Sequence, residues 1–196
     1  MRNFINISKI ENIEFSEKFS FLLKYNDDCT LNDCSEVAIT IFDHWLYESD
    51  SFSIINNATE KTKIEWDEKI QNFLTNLVEL EKPLKYKYIG RNTKKNLQFS
   101  RYIGHLSIND YITKLYHEVY RTNVVFVRLG VVLWFEDNWT IYIKYKTHNE
   151  CSELFELAAK HGLYILPAYS AEHLNNYSAL SVFLNEKGLN LSLIHI

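Results

Sequence analysis

The sequence predicts an α+β fold in which helices pack on an antiparallel or mixed β-sheet. In residues 139–145, apolar and polar side chains alternate with the period of a half-buried strand. Residues 131–135 are apolar at every position, as in a central strand covered on both faces. The apolar residues of 151–159 then recur at helical spacing. These segments predict a C-terminal unit of strand, hairpin, helix and strand.

The N-terminal region predicts a loop followed by a helix. Residues 1–25 fit either a helix or a strand, and residues 25–34 are rich in Asn and Asp, which favour a loop. Ser35 is predicted to begin a helix with the apolar stripe Val37, Ala38, Ile41, Phe42, Trp45 and Leu46. After an acidic turn, residues 52–55 are predicted to form a short strand.

The middle of the chain predicts a helix, a hairpin and a second helix. Apolar residues at helical spacing predict a helix over 65–81, which a proline two positions later ends. Residues 85–89 alternate as an edge strand, a polar turn follows, and residues 97–103 return beside it. Ser107 is predicted to cap the next helix, because an acidic residue follows it at capping-box spacing.

The second sheet hairpin is predicted in more detail. A strand is expected over 124–127, with a turn or bulge at Gly130. Asp137 and Asn138 suit a two-residue turn, because both residue types tolerate left-handed backbone. The strand face that carries Trp139, Ile141 and Ile143 is expected to be buried, and the face that carries Thr140 and Lys144 is expected to be more exposed.

Capping residues bound the two C-terminal helices. Asn149 is predicted to cap the helix of the C-terminal unit, and Gly162 is predicted to end it in a left-handed conformation. Residues 163–166 should then resume as a strand. The last helix is expected over 178–187.

Bulk composition points to an ordered, water-soluble chain of one domain. With 196 residues and 46% hydrophobic residues, a sizeable core is expected, and 1–81 and 82–196 are a possible subdivision into an acidic helical part and a sheet part. Three cysteines without a metal-ligand or paired spacing indicate free thiols in a reducing compartment. No apolar run is long enough for a membrane span, so we expect a cytoplasmic protein.

The net charge of −4 is unevenly distributed. Residues 1–81 carry a net charge of −9, residues 82–128 carry +8, and residues 129–196 carry −3. An acidic face speeds and specifies association with a basic partner. The partner-binding residues expected on that basis are Asp27, Asp28, Asp33, Asp43, Glu48 and Asp50.

Basic and aromatic residues interleave over 85–101 and suggest an alternative function, association with nucleic acid. The side chains that would contact phosphates are Lys85, Lys87, Lys94, Lys95 and Arg101. The competing interpretation is that these lysines protect an exposed strand edge from aggregation. We favour the second interpretation, because the whole chain is acidic and carries no RNA-binding signature.

Motifs of catalysis and cofactor binding are absent from the sequence. It contains no glycine-rich nucleotide loop, no nucleophile elbow and no pair of histidines at metal-ligand spacing. We therefore expect no cofactor and no metal. An enzyme whose site is dispersed over loops is a further alternative, and His105 beside Arg101 would be its first candidate residue.

Two segments resemble parts of an uncharacterised bacterial α+β domain family. Residues 38–55 are similar to its helix, acidic turn and strand, and residues 125–157 to its closing strand, strand and helix. The family's hairpin carries a Tyr-Asp-Asp-Arg-Gly motif, and residues 135–139 here read FEDNW, so only the acidic turn persists. Small acidic domains of this kind resemble immunity proteins of bacterial toxin systems. The resemblance implies a non-enzymatic domain that neutralises a protein toxin.

The last six residues, LSLIHI, resemble the translation of a sequencing adapter. No functional role is therefore assigned to His195.

Overall fold

The computed structural model describes residues 3–24, 34–46, 48–91, 95–117, 124–136, 139–167 and 174–188. The strands are β1 (Phe4–Asn6), β2 (Ser35–Thr40), β3 (Leu84–Ile89), β4 (Asn96–Tyr102), β5 (Val124–Phe126), β6 (Val131–Glu136), β7 (Thr140–Tyr145) and β8 (Tyr164–Pro167). The helices are α1 (Lys9–Lys18), α2 (Glu48–Asn57), α3 (Glu60–Leu80), α4 (Ile108–His117), α5 (Ser152–Lys160) and α6 (Leu174–Glu186), with a 3-10 turn at Ser20–Lys24. None of the helices in these ranges combines the length and apolarity needed to cross a membrane.

The eight strands form one antiparallel sheet in the order β1-β4-β3-β5-β6-β7-β2-β8. The predicted α+β class is therefore confirmed. Helices α3 to α6 cover one face with a large apolar core, and the 3-10 turn and part of α1 cover the other face over the half that contains β3 and β4. The alternation of buried residues along β5 and β6 divides the two cores, since neighbouring side chains point to opposite faces.

The C-terminal unit forms as predicted, with small shifts at its ends. Strands β6 and β7 make the hairpin, α5 packs on the sheet through Leu154 and Phe155, and β8 follows. Gly162 has a φ of +66°, the left-handed conformation expected at this helix end. The residue at the N-cap of α5 is Cys151 rather than Asn149, and its side chain makes no capping hydrogen bond.

The prediction of a helix beginning at Ser35 is wrong, because residues 35–40 form β2. This strand lies between β7 and β8 and pairs with both of them. A short apolar run has no decisive period, and β-branched Val and Ile favour the strand once partners are available. The predicted strand 52–55 is likewise wrong, since it lies inside α2. Residues 38–55 thus run strand, loop, helix, the reverse of the order expected from the resemblance.

Strand β3 is not an edge strand of the sheet. It lies between β4 and β5, although β5 pairs only with Leu84 and Lys85. The ends of the sheet are β1 and β8. Alternation within a strand reveals its two faces but does not reveal what lies beside it, which is why the sequence misplaced β3. The turn predicted at 92–96 lies mainly outside the described residues.

The face of β7 that was expected to be more exposed is also covered. The face that carries Ile141 and Ile143 is buried as predicted. Lys144, on the other face, is also buried, with 8% of its surface exposed. Its Nζ lies 3.4 Å from a carboxylate oxygen of Glu36, its partner across the strand pair, and 4.8 Å from the centre of the Trp134 ring. An ion pair and an aromatic surface make the burial of this lysine tolerable.

Candidate partner-binding surface

An aromatic cluster lies beyond the C-terminal ends of strands β2 and β6. Trp66 of α3 meets Phe42 edge to face, with ring centres 5.6 Å apart. It also meets Trp139 edge to face at 4.9 Å. All three rings are half-buried and pack against the main core, so each keeps part of its surface in water. We call Phe42, Asp43, Trp66, Asp67 and Trp139 the aromatic–acidic cluster.

Asp67 links Trp139 to Tyr116 of α4 by hydrogen bonds. Its Oδ1 accepts one from Nε1 of Trp139 at 2.8 Å and one from the hydroxyl of Tyr116 at 3.2 Å. An ionised carboxylate only accepts, so an indole N–H and a phenol are suitable partners for it. Burial, with the charge of Asp67 and the bond to it, raises the pKa of Tyr116 well above its ordinary value. The phenol therefore stays protonated and keeps donating to Asp67.

Trp139 has an unusual backbone conformation. Strands β6 and β7 pair up to Glu136 and Thr140, so their connection has three residues rather than the two-residue turn predicted at 137–138. Three-residue hairpin loops need a left-handed residue, a position that glycine normally fills. Trp139 has a φ of +55° and is the one non-glycine residue with positive φ in the described ranges. Such a conformation costs about 1–3 kcal/mol and persists where its surroundings enforce it. The turn residues 137–138 lie outside the described residues.

The stretch of chain that supplies Phe42, Asp43, Trp66 and Asp67 is acidic. Residues 41–69 contain seven acidic and three basic side chains, a net charge of −4. The side chain of Asp43 is 62% exposed, and one of its oxygens lies 2.5 Å from Nδ1 of His44. On α3, Glu60, Glu65 and Glu68 are also exposed. Asp43 and His44 lie in a bend after β2, and their side chains contact each other there.

Of the six predicted partner-binding residues, Asp43 is the one whose side chain the structure describes, and it lies exposed next to Phe42 in the chain. Glu48 and Asp50 lie in the first turn of α2, which follows Asp43 in the chain, and their side chains are outside the described residues. Asp27, Asp28 and Asp33 lie entirely outside them. Asp67 and Tyr116 were not predicted. The sequence indicated them only weakly, because Asp67 is a carboxylate next to the apolar stripe of one helix and Tyr116 is a tyrosine next to that of another.

The basic residues predicted to contact phosphates do not converge on one face. Arg101 is registered opposite Leu84, so alternation places Lys85 and Lys87 on the other face of the sheet. The Nζ of Lys85 lies over the ring of Phe4 at 5.0 Å, and Arg101 pairs with Glu11 at 3.6 Å. The Nζ of Lys95 lies 6.0 Å from the ring centre of Tyr88, and Lys94 lies outside the described residues.

His105 is exposed in the loop after β4, and no cluster of three or more metal-ligating side chains occurs in the described part of the chain. His117 bonds Gln71 and His161 bonds Asn76, so both are tied to polar neighbours. His173 and His195 lie outside the described ranges.

The thiol of Cys151 is also poorly suited to nucleophilic chemistry. It is fully buried, and burial raises its pKa far above the ordinary range. Its Sγ donates to the carbonyl oxygens of Thr147 and His148 at 3.5 and 3.3 Å. Since the thiolate is the reactive form, this cysteine acts as a core residue.

Comparison with protein-family models, with curated proteins and with solved structures finds no match to this chain. The family resemblance drawn from the sequence therefore stays a prediction.

Proposed function

We propose that this chain is a protein-binding domain that neutralises a bacterial toxin by docking the aromatic–acidic cluster on a basic surface of that toxin. The observation that carries the proposal is the hydrogen bond between Asp67 and Trp139. It holds a half-buried indole in a left-handed backbone conformation at an acidic end of the sheet. A strained aromatic residue at the surface suggests a selected role beyond folding.

The aromatic members of the cluster suit a binding hot spot. Trp and Tyr are enriched among the few residues that dominate binding energy, because they bury a large area and lose few rotamers. Trp66 and Trp139 are already fixed by Phe42, by each other and by Asp67. Their rings therefore need little further ordering when a partner covers them, which lowers the cost of association.

The charge of the region indicates the chemistry of the partner. A toxin that cleaves nucleic acid must present a basic surface to hold a polyanion. A net charge of −4 over residues 41–69 is complementary to such a surface and would accelerate encounter. Masking the basic site with a carboxylate-rimmed aromatic face would block the polyanion without any chemistry by this chain.

The test uses the product of a toxin-like reading frame adjacent to this gene. Association kinetics with this full chain should show tight binding whose on-rate falls as salt is raised. Trp139→Asn keeps a residue that tolerates left-handed backbone but removes the indole, and should weaken binding by at least about tenfold. Asp43→Lys should lower mainly the on-rate.

The matched control is Lys87→Ala, an exposed residue of β3 outside the cluster. It should leave both rate constants unchanged. The proposal fails if the adjacent gene product does not bind, or if it binds equally well to the parent chain and to the Trp139→Asn variant.

A further inference from the structure

A cavity of about 500 Å³ lies at the opposite end of the strands from the aromatic–acidic cluster. Its walls come from the α3–β3 connection, the β4–α4 connection and Phe15 of α1. Strand β4 ends at Tyr102, next to the cavity. The turn between β6 and β7, where Trp139 lies, is at the opposite end of the strands. The volume falls within the range of about 300–1,000 Å³ that is typical of small-molecule sites.

Three of the twelve lining residues are charged, and two of them are cations. Glu81 is committed to the fold, because its two carboxylate oxygens accept from the backbone N–H groups of Arg128 at 2.7 Å and Leu129 at 3.1 Å. Lys82 and Arg101 supply the positive charge. Arg101 also pairs with Glu11 at 3.6 Å, but both side chains are well exposed, and exposed ion pairs contribute little to stability. The lining of the cavity therefore carries a net charge of +1, on a chain whose net charge is −4.

One wall of the cavity is preformed by a close approach of Tyr102 to Gly104. A Cβ atom at Gly104 would lie 2.1 Å from the hydroxyl oxygen of Tyr102, so a larger residue does not fit beside this ring. The ring cannot easily move aside, because it stacks on Tyr111 at 4.5 Å and meets Phe4 edge to face at 5.4 Å. The shape of the wall is thus fixed before any ligand arrives.

Large apolar side chains in the same loop remain in contact with water. Ile103 is 53% exposed and Leu106 is 37% exposed, and both line the cavity. Nine of the twelve lining residues carry no charge. Exposed apolar surface beside a basic cavity is the arrangement that an amphipathic anion would cover.

We infer that this cavity binds a small organic carboxylate with an apolar body. Lys82 and Arg101 would hold the carboxylate, since charge-assisted hydrogen bonds to a guanidinium are strong and directional. Ile103 and Leu106 would cover the apolar body. This site does not depend on the proposed partner surface, which lies at the other end of the strands.

The experiment is a titration of the full chain with sodium octanoate, followed by calorimetry and by chemical-shift changes. Saturable binding with a dissociation constant on the order of 1 mM or tighter is expected for a ligand of this size. Acetate supplies the charge without the body, and octan-1-ol supplies the body without the charge. Each should bind at least about tenfold more weakly than octanoate, because each loses one of the two contributions.

Two variants test the two halves of the site. Arg101→Gln and Ile103→Ser change exposed side chains, so both should fold, and each should weaken octanoate binding about tenfold. Lys87→Gln, on the opposite face of the sheet from Arg101, is the matched control and should bind as the parent does.

The inference is overturned if octanoate shows no saturable binding, if octan-1-ol binds as well as octanoate, or if neither variant weakens the complex. A loss of affinity in Lys87→Gln equal to that in Arg101→Gln would also overturn it, because it would reveal non-specific attraction to positive charge.

Discussion

The side-chain amide of Asn12 pairs with the backbone of Phe99 as a neighbouring strand would. Its Oδ1 accepts from the N–H of Phe99 at 2.8 Å, and its Nδ2 donates to the carbonyl of Leu97 at 2.9 Å. Strand β1 pairs with β4 only from Ser100 onward, so without Asn12 the outer edge at Leu97 and Phe99 would lack these bonds. One residue of α1 thus extends the protection that β1 gives to this edge.

Replacing Asn12 should therefore destabilise the fold although the residue lies on a surface helix. Asn12→Ala leaves the N–H of Phe99 without this partner and the carbonyl of Leu97 with the longer bond from the Ser16 hydroxyl at 3.4 Å, and should lower the free energy of unfolding by about 1–3 kcal/mol. Urea denaturation of the full chain measures the change. Asn56→Ala on the exposed side of α2 is the control and should shift stability by less than about 0.5 kcal/mol. Equal effects of the two substitutions would show that Asn12 does not protect the edge.

The bonds of Asp67 give a second prediction. Asp67→Ala leaves the indole of Trp139 and the phenol of Tyr116 without their acceptor and should cost about 1–3 kcal/mol. Asp67→Asn keeps an acceptor oxygen and should recover much of the loss. The tryptophan emission spectrum of the folded state should shift in Asp67→Ala and not in Asp43→Ala. An unchanged spectrum and an unchanged unfolding midpoint in Asp67→Ala would contradict the role of this carboxylate.

Packing of α5 on the sheet is tested by Phe155→Ala. Phe155 is fully buried and meets Tyr145 edge to face at 5.7 Å and Phe183 at 6.4 Å. Removing a large aromatic side chain from such a core should cost about 3–5 kcal/mol. Val182→Ala, at an exposed position of α6, provides the comparison and should cost far less. A chemical-denaturation midpoint that Phe155→Ala does not move would show that α5 does not pack there.

The parts of the fold that local patterns predicted are those whose partners are close in the sequence. The β6–β7 hairpin and α5 follow one another, so alternation, turn residues and the helical period all describe the same contacts. Strand β2 was mistaken for a helix because its partners β7 and β8 lie between 100 and 130 residues away in the sequence. No local period in VAITIF shows that two strands will arrive on both sides of it.

The candidate site was less accessible to sequence reasoning for the same physical reason. Asp67 and Trp139 are separated by 72 positions, and their bond exists only after α3 packs against the hairpin. Ile141 and Ile143 were correctly predicted to be buried, but Trp139 is only half-buried, and its left-handed conformation depends on a loop of three residues rather than two. The prediction of Asp43 rests on charge alone, which requires no knowledge of the fold, and it stays a prediction.

Two histidines predict a loss of stability in acid. Burial lowers the pKa of His148, and burial followed by the charge of Lys160 lowers that of His161, both from an ordinary value near 6.5. The unfolded chain therefore takes up these protons first, so this contribution to stability is complete above about pH 6.5 and declines as the pH falls below it. His161→Gln keeps an acceptor for Asn76 without titrating, and should reduce the decline measured by denaturation at pH 7 and pH 5. A decline as steep as in the parent chain would contradict the role of His161.

The basic segment gives the last prediction, that the full chain does not bind nucleic acid measurably near physiological salt. Phosphate contacts release counterions, so true binding would be strong at low salt and would fall steeply as salt is raised. Arg101 lies on the opposite face of the sheet from Lys85 and Lys87. A polyanion could therefore not contact all of them at once, and the net charge of −4 would repel it. The measurement is a titration with single- and double-stranded nucleic acid at two salt concentrations. Tight, salt-sensitive binding that disappears when Lys85, Lys87, Lys94, Lys95 and Arg101 are neutralised together would make nucleic acid the leading partner of this chain.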